Sequence, residues 1–152
     1  MTIEVTSPDQ LPDVVGRSAT GDWMVIDQDR VNRFADVSED HQWIHIDPER
    51  AAQGPFRSTV AHGYLTLSLV PRLTAGLLRV GGVGLMINYG LERVRFVTPV
   101  PVGSRVRATT TLAAAEVSAR GTRVTSDVVV EMEDAERPAL VARTIALVVP
   151  AS

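Results

Sequence analysis

The stretch that decides the fold reads HGYLTLSLVPRLTAGLL and covers residues 62–78. Its apolar residues recur at the spacing of an α-helix and widen into a broad face, which predicts the longest helix of the chain, buried on most of its surface. They are Leu65, Leu67, Leu69, Val70, Leu73, Leu77 and Leu78. Because Pro71 cannot donate to the carbonyl of Leu67, we expect it to kink the helix or to end a segment.

The chain beyond Gly81 and Gly82 is strand-like. We predict strands over residues 83–97, 105–115, 122–132 and 139–149, with a bulge or close approach at Gly90. From residue 122 to 132, side chains such as Val128 and Val130 on one face alternate with Asp127 and others on the opposite face. A long apolar helix beside an antiparallel sheet predicts an α+β fold in which the sheet wraps the helix.

The segment before the long helix carries shorter elements. Residues 22–26 are predicted as a strand, and Asp27 is suited to cap a helix over residues 28–37. Asp47 followed by Pro48 is typical of a second helix start. Residues 1–20 show only a loosely specified start. The length of 152 residues fits one domain, 1–152.

Composition excludes several classes of function. The net charge of -3 gives no basic field for nucleic acid, so we expect no nucleic-acid partner. The chain has no cysteine for a thiolate or disulfide, and all 15 cationic residues are arginine, which excludes lysine Schiff-base chemistry. The apolar stretch 60–80 is interrupted by His62, Pro71, Arg72 and Arg79 and is not expected to span a membrane. Acids and prolines within residues 1–13 do not resemble a signal peptide, so we expect a cytoplasmic protein.

All three histidines lie between positions 41 and 62. Asp40 precedes His45 by five residues, and a bend between them would let the carboxylate and the imidazole hold and deprotonate one water. A surface pair or a local cap is the simpler alternative. His41 and His45 are four residues apart, as in some zinc sites, but no HExxH pattern or obvious third ligand accompanies them, so we expect no metal.

Gly63 stands where the long helix is predicted to begin. Free backbone N–H groups at such a start can stabilise a carbonyl oxygen that gains negative charge, and Gly63 has no side chain to block approach. Close packing is the alternative role for this glycine. The chain contains neither a GxGxxG loop nor a GxSxG elbow, which disfavours a dinucleotide site and a serine hydrolase.

The stretch FADVSEDHQWIHIDPERA at residues 34–51 resembles the hydratase 2 motif of the MaoC-like dehydratases, a family that includes (R)-specific enoyl-CoA hydratases and NodN-like proteins. Residues 54–56 and 59–63 resemble the next block of that family. Residues 89–96 and 99–103 resemble its later strand and turn. The resemblance runs from about residue 22 to residue 149, nearly the whole chain.

This resemblance implies a hot-dog fold, in which an antiparallel sheet curls round one long central helix, and a homodimer. It implies reversible addition of water to a trans-2-enoyl-CoA, giving the (R)-3-hydroxyacyl-CoA, with no cofactor because coenzyme A is part of the substrate. The catalytic pair falls on Asp40 and His45, and the oxyanion-binding N–H falls on Gly63. The sequence departs from the family pattern at Glu39, where the pattern has glycine, and at Gln42-Trp43, where it has Asn-Pro.

Substrate-binding residues are predicted around this pair. We expect the acyl chain to lie in an apolar slot against the central helix, with Leu65 and Leu85 among its walls, and we expect arginines to bind the phosphates of coenzyme A. A solvated strand or loop face is the alternative role for each arginine. The predicted binding residues are Gln42, Trp43, Ile44, Phe56, Arg57, His62, Tyr64, Arg93 and Arg95.

Two other functions compete with hydration. A hot-dog thioesterase would use a carboxylate to direct water at the thioester carbonyl, and it would release free coenzyme A. A non-catalytic acyl-CoA-binding or partner subunit would show little activity alone. The presence of both Asp40 and His45 favours the hydratase.

Overall fold

A computed structural model describes residues 1–152. Five short α-helices and one 3₁₀ helix, Pro8–Val14, accompany the strands. The α-helices are α1 (Gln28–Ser38), α2 (Trp43–Ile46), α3 (Pro48–Ala52), α4 (Gly63–Ser68) and α5 (Val70–Leu73). The strands are β1 (Ile3–Val5), β2 (Ser18–Thr20), β3 (Met24–Val25), β4 (Leu78–Val80), β5 (Val83–Phe96), β6 (Arg105–Ser118), β7 (Gly121–Met132) and β8 (Leu140–Pro150).

The main sheet has six strands in the order β2-β6-β7-β8-β5, with β3 also paired to β6. Its long strands are antiparallel, as the sequence predicts, and β5 forms one edge. The register of β5 on β8 shifts between Asn88 and Gly90, where the irregularity is expected. β1 and β4 form a separate parallel pair.

The central helix is shorter than predicted and is divided in two. α4 ends at Ser68, α5 runs only from Val70 to Leu73, and Leu78 already belongs to β4. Pro71 lies in the first turn of α5, where its missing N–H is tolerated, so the division follows the expectation for Pro71. The predicted length of the helix over residues 62–78 is therefore wrong, whereas the predicted packing of a helical layer against an antiparallel sheet is confirmed.

The core has two parts. The larger part joins α1, α4 and α5 to the sheet through residues such as Val31, Leu65, Leu73 and Val130. The smaller part lies under the first 20 residues and includes Ile3, Leu11, Val14, Leu112, Val124 and Val148. The start of the chain is thus well structured, in contrast to the expectation, because its apolar residues pack against the far end of the sheet.

Alternate residues of the long strands face opposite sides of the sheet. In β7, Val124, Val128 and Val130 share one face and are buried in the core. Asp127 and Glu131 lie on the other side, paired with Arg143 and Arg107. No helix of the protein is long and apolar enough to cross a membrane.

Candidate active site

A sharp bend between α1 and α2 positions the first candidate residue. Asp27 caps α1 by accepting a hydrogen bond from the backbone N–H of Arg30, as predicted, at 2.8 Å. The helix ends in Glu39, which has a left-handed backbone with φ of 60°. Glycine adopts this conformation more readily than any other residue, which accounts for a glycine in the family pattern at this position. The bend places Asp40 next to α2.

Three side chains meet beyond the bend. One potential ligand atom from each of Asp40, His45 and His62 lies within 4.8 Å of the other two. Asp40 is exposed, whereas His45 is only 7% exposed and His62 only 2%. The spacing of Asp40 and His45 therefore corresponds to a real juxtaposition. Asp40 also makes a local contact, in which its carboxylate accepts a long hydrogen bond from the backbone N–H of Gln42 at 3.4 Å.

The orientation of the His45 ring is fixed by the backbone. Its Nδ1 lies 2.6 Å from the carbonyl oxygen of Val60. Since a carbonyl only accepts hydrogen bonds, Nδ1 carries the proton of the neutral ring, and in that tautomer Nε2 has a free lone pair. This tautomer leaves His45 able to accept a hydrogen bond from a bound water.

The short helix α2 that carries His45 is held from both sides. Gln28 on α1 donates its amide N–H to the carbonyl of His45 at 2.8 Å, and the Thr59 hydroxyl donates to the Gln28 side-chain oxygen at 2.6 Å. The backbone N–H of Val60 donates to the carbonyl of Ile44. These contacts connect α1, α2 and the segment before α4, and neither Gln28 nor Thr59 is predicted from the sequence.

His62 supports the other two residues. Its Nε2–H donates to the backbone carbonyl of Asp40 at 2.9 Å, and its ring stacks on His45 with centroids 3.8 Å apart. The ring of Phe34 packs edge-to-face with that of His62, with centroids 4.9 Å apart. Its Nδ1 is buried without a hydrogen-bond partner.

The surroundings of His62 also set its charge. Burial lowers the pKa of its imidazole, the hydrogen bond to Asp40 opposes this, and the nearby His45 lowers the pKa further. His62 is therefore neutral at neutral pH. A neutral ring stacks on His45 without charge repulsion.

Gly63 opens α4 directly after His62. A Cβ at this position would lie 3.1 Å from the ring of Phe96, so a larger residue would crowd the site. Gly63 lines a hollow of about 240 Å³ together with Ile44, Phe56 and Phe96. Two of the predicted binding residues, Ile44 and Phe56, therefore lie beside Gly63.

A larger cavity of about 570 Å³ lies further along the same helices. Residues 67–76 of the helical side and residues 86–91 of β5 border it, and β6 to β8 provide residues of its other walls. The hollow borders α4 at Gly63 and β5 at Phe96. The cavity borders the same two elements at Ser68 and Leu91. They therefore follow one another along the groove between helix and edge strand.

Other predicted binding residues lie outside these spaces. Gln42 precedes α2 and is exposed. The Trp43 ring lies under the guanidinium of Arg50 at 4.4 Å, and Tyr64 is 71% exposed with its ring 6.0 Å from Phe96. Of the two apolar wall residues, Leu65 is buried in the core and Leu85 is exposed on β5. The residues predicted to line the acyl slot therefore do not all lie around one space.

The three candidate arginines are separated. Arg57 is exposed and directly follows Phe56 of the smaller hollow, with a left-handed φ of 62°. Arg93 and Arg95 lie on β5 with Val94 between them, and Val94 packs toward the helices. Arg93 and Arg95 therefore project on the opposite side of the sheet from the two spaces.

His41 does not join the cluster. Its Nε2 lies 3.0 Å from a carboxylate oxygen of Asp36, and both side chains are largely exposed. The pairing of His41 with His45 considered from their spacing is therefore not formed. The side chain that completes the group is His62, whose only sequence signal is its place directly before Gly63 and the helix.

A sheet wrapped over a divided helix, with an aspartate–histidine pair at the helix start, defines a hot-dog protein equipped for acid–base chemistry. A family model described as "MaoC like domain" matches residues 11–134. The chain belongs to the MaoC-like dehydratase family, and it is an enzyme of the hydro-lyase class.

Individual relatives agree with this assignment. The 3-hydroxyacyl-thioester dehydratase Z of Mycobacterium tuberculosis is 55% identical, with 86% of this chain and 85% of that protein covered. Nodulation protein N of Rhizobium leguminosarum is 41% identical over 93% of this chain and 88% of that protein. The solved structure of the R-hydratase PhaJ1 from Pseudomonas aeruginosa superposes with a TM-score of 0.73, at 25% identity over 91% of this chain and 83% of that one. These likenesses confirm the predicted α+β hot-dog fold.

Proposed function

We propose that the protein catalyses the reversible syn addition of water to trans-2-enoyl-CoA, which gives the (R)-3-hydroxyacyl-CoA. One observation carries the proposal: the Asp40 carboxylate and a His45 nitrogen lie within 4.8 Å of each other beside the start of α4. The mycobacterial relative is a 3-hydroxyacyl-thioester dehydratase and the structural relative is an R-hydratase, which supports the same reaction.

In the proposed mechanism the thioester carbonyl lies at the N–H of Gly63. Asp40 and His45 hold one water, with the free Nε2 of His45 accepting one of its hydrogen bonds. Asp40 is the principal base and takes a proton as the water oxygen bonds to C3. The electron pair of the double bond moves toward the carbonyl, where the Gly63 N–H stabilises the enolate. The proton is then delivered to C2 from the same side, with His45 sharing it, and the addition is syn.

The loss of enoyl-thioester absorbance with crotonyl-CoA tests this proposal. Hydration by the unmodified protein is expected to fall by about 100-fold or more in Asp40→Asn and His45→Gln, because general acid–base groups contribute roughly 10²–10⁴-fold. His41→Gln is the matched control, since His41 is exposed and paired with Asp36. Release of free coenzyme A would favour the thioesterase, and near-normal turnover by a folded Asp40→Asn protein would contradict the role of Asp40.

We also propose that the enzyme is a homodimer joined through β5. This edge strand carries large apolar side chains that are 44–67% exposed, a surface that monomers rarely leave uncovered. They are Leu85, Met86, Ile87, Tyr89, Leu91 and Phe96. A second β5 would pair its backbone and cover these residues. The mass in solution by light scattering tests this, and the mass of a single chain would refute it.

We propose that the reaction uses no metal and no cofactor, and that it takes place in the cytoplasm, where coenzyme A thioesters are used. His45 Nδ1 and His62 Nε2 face backbone carbonyls, so each ring has one nitrogen left, and the proposed mechanism uses that of His45 to hold the water. Arg57, beside the smaller hollow, is the best placed of the three arginines for the phosphates of coenzyme A. Dialysis against a chelator is expected to leave the rate unchanged, and a loss restored by a divalent ion would refute the metal-free reaction.

A further inference from the structure

The sheet wall of the larger cavity has an unusual polar patch. The residues of β6 to β8 that face the helices are mostly apolar and belong to the two parts of the core. Three neighbours in the middle of this wall are hydroxyl residues: Thr110, Ser126 and Thr144. We refer to these three residues as the hydroxyl patch.

The members of the hydroxyl patch are adjacent in the sheet. Ser126 on β7 lies directly opposite Thr144 on β8, which places their Cβ atoms about 5 Å apart. Thr110 on β6 lies opposite Val128, so it is diagonal to Ser126 on the same face. Three strands therefore present hydroxyl groups toward one region of the cavity.

These hydroxyls are not used by the protein itself. Thr110 and Ser126 make no side-chain hydrogen bond, and the only one made by Thr144 is a long contact of 3.5 Å to the carbonyl of Ser126. Among side-chain nitrogen and oxygen atoms, only His62 Nδ1 is fully buried without a hydrogen-bond partner. The unpaired oxygens of Thr110 and Ser126 are therefore not fully buried and are open to the cavity that these residues line. In contrast, Thr122 at the end of the same face donates to the carbonyl of Pro8.

The hydroxyl patch lies away from the reacting carbons. Ser68 and Pro71, which border the cavity, are five and eight residues beyond Gly63, roughly 8–12 Å at the rise of a helix. An acyl chain that starts at Gly63 would meet the hydroxyl patch in its middle. A wholly apolar chain would cover the hydroxyls without offering them a hydrogen bond. Burial of unpaired hydroxyls costs free energy and would weaken the binding of such a chain.

We propose that the hydroxyl patch is an acyl subsite that selects enoyl thioesters with an oxygen-bearing group, a hydroxyl or a ketone, in the middle of the chain. This inference rests on the proposed hydratase function. A hydroxyl wall donates to a ketone and both donates to and accepts from an alcohol. The volume of about 570 Å³ also leaves room for a group wider than an unbranched chain.

Two matched substrates test the subsite: long trans-2-enoyl-CoAs of equal length, one unsubstituted and one with a mid-chain ketone. We expect kcat/KM to favour the ketone by about tenfold or more, since sites built for a hydrogen bond reject analogues that lack it. The double variant Ser126→Ala with Thr144→Val is expected to reduce this ratio to near one. Thr125→Val is the control, because Thr125 is next to Ser126 and faces the other side of the sheet.

Two further measurements separate this proposal from the hydratase function. Crotonyl-CoA is too short to reach the hydroxyl patch, so its hydration by the unmodified protein and by Thr125→Val tests the reaction independently of the subsite. Calorimetric binding of both long substrates to Asp40→Asn, which does not depend on turnover, is expected to show the same preference for the ketone. If crotonyl-CoA is hydrated but the long ketone substrate is not preferred over the unsubstituted one, the subsite proposal is wrong and the hydratase function stands. Equal binding of the two long substrates would overturn the subsite proposal whatever the reaction.

Discussion

The hydrogen bond from His62 to the Asp40 carbonyl can be removed without disturbing the stack of rings. In His62→Phe the new ring can keep the contacts on His45 and Phe34, whose centroids lie 3.8 and 4.9 Å from that of His62. The change removes the Nε2–H donor and also the unpartnered Nδ1. It therefore tests whether His62 acts by holding the backbone of Asp40.

The effect of His62→Phe on stability is expected to be small. Loss of one neutral hydrogen bond costs about 0.5–1.5 kcal/mol, and the Asp40 carbonyl can partly recover it from water because Asp40 is exposed. Removal of a buried acceptor without a partner offsets about 1 kcal/mol of this cost. We expect the free energy of unfolding, measured in urea, to change by about 1 kcal/mol or less.

The effect on the rate is expected to be much larger. A displacement of Asp40 by about 1 Å is sufficient to reduce turnover by roughly 100-fold. We therefore expect kcat for crotonyl-CoA to fall by about 10- to 100-fold in His62→Phe, with little change in KM. His62→Gln, whose amide can still donate to the Asp40 carbonyl, is expected to recover much of kcat.

The split between kcat and KM decides between two roles for His62. If His62 contacts the substrate, as the sequence analysis predicts, His62→Phe raises KM and leaves kcat nearly unchanged. A variant with full kcat and unchanged unfolding energy would refute the positioning role. Equal losses in His62→Phe and His62→Gln would show that the hydrogen bond is not the cause.

Glu39→Gly is expected to leave stability unchanged or raise it by up to about 1 kcal/mol in thermal unfolding, because glycine adopts the φ of 60° at lower cost. A clear loss of stability would show that the backbone of Glu39 is not strained. The lowered pKa of His62 means that the unfolded chain takes up its proton near pH 6.5 and the folded protein only below that pH. The contribution of His62 to the free energy of unfolding should thus be fully present above about pH 6.5 and fall as the pH drops toward the folded pKa. The free energy of unfolding should decrease less steeply with falling pH in His62→Phe. An unchanged slope in that variant would exclude His62 as the source. Because β6 and β7 contribute to both parts of the core, unfolding followed by fluorescence and by circular dichroism should coincide in one transition, and two separate transitions would argue against a single domain.

Local sequence signals predicted the elements that local chemistry determines. Asp27 and Asp47 cap α1 and α3, and the period of two in β7 assigns the buried side correctly, because both depend on residues close in sequence. The first 20 residues were missed because their structure depends on packing against distant strands. The pairing of Thr20 with Thr109, for example, has no local signal.

The candidate site could be predicted only in part for the same reason. Asp40 and His45 are close in sequence, and the family pattern contains both. His62 comes from 22 residues further along the chain, and its contact with Asp40 depends on how α4 packs against α1. The hydroxyl patch joins residues 110, 126 and 144, whose proximity requires the strand register.

The division of the central helix connects the fold to the proposed substrate. A continuous helix over residues 62–78 would place Pro71 and Gly76 in its interior, where both residues are unfavourable. Instead, Pro71 lies in the first turn of a second short helix, and the chain turns at Gly76, which has a left-handed φ of 77°. Pro71 and Gly76 both line the larger cavity. The residues that divide and end the predicted helix therefore also border the cavity that contains the proposed acyl subsite.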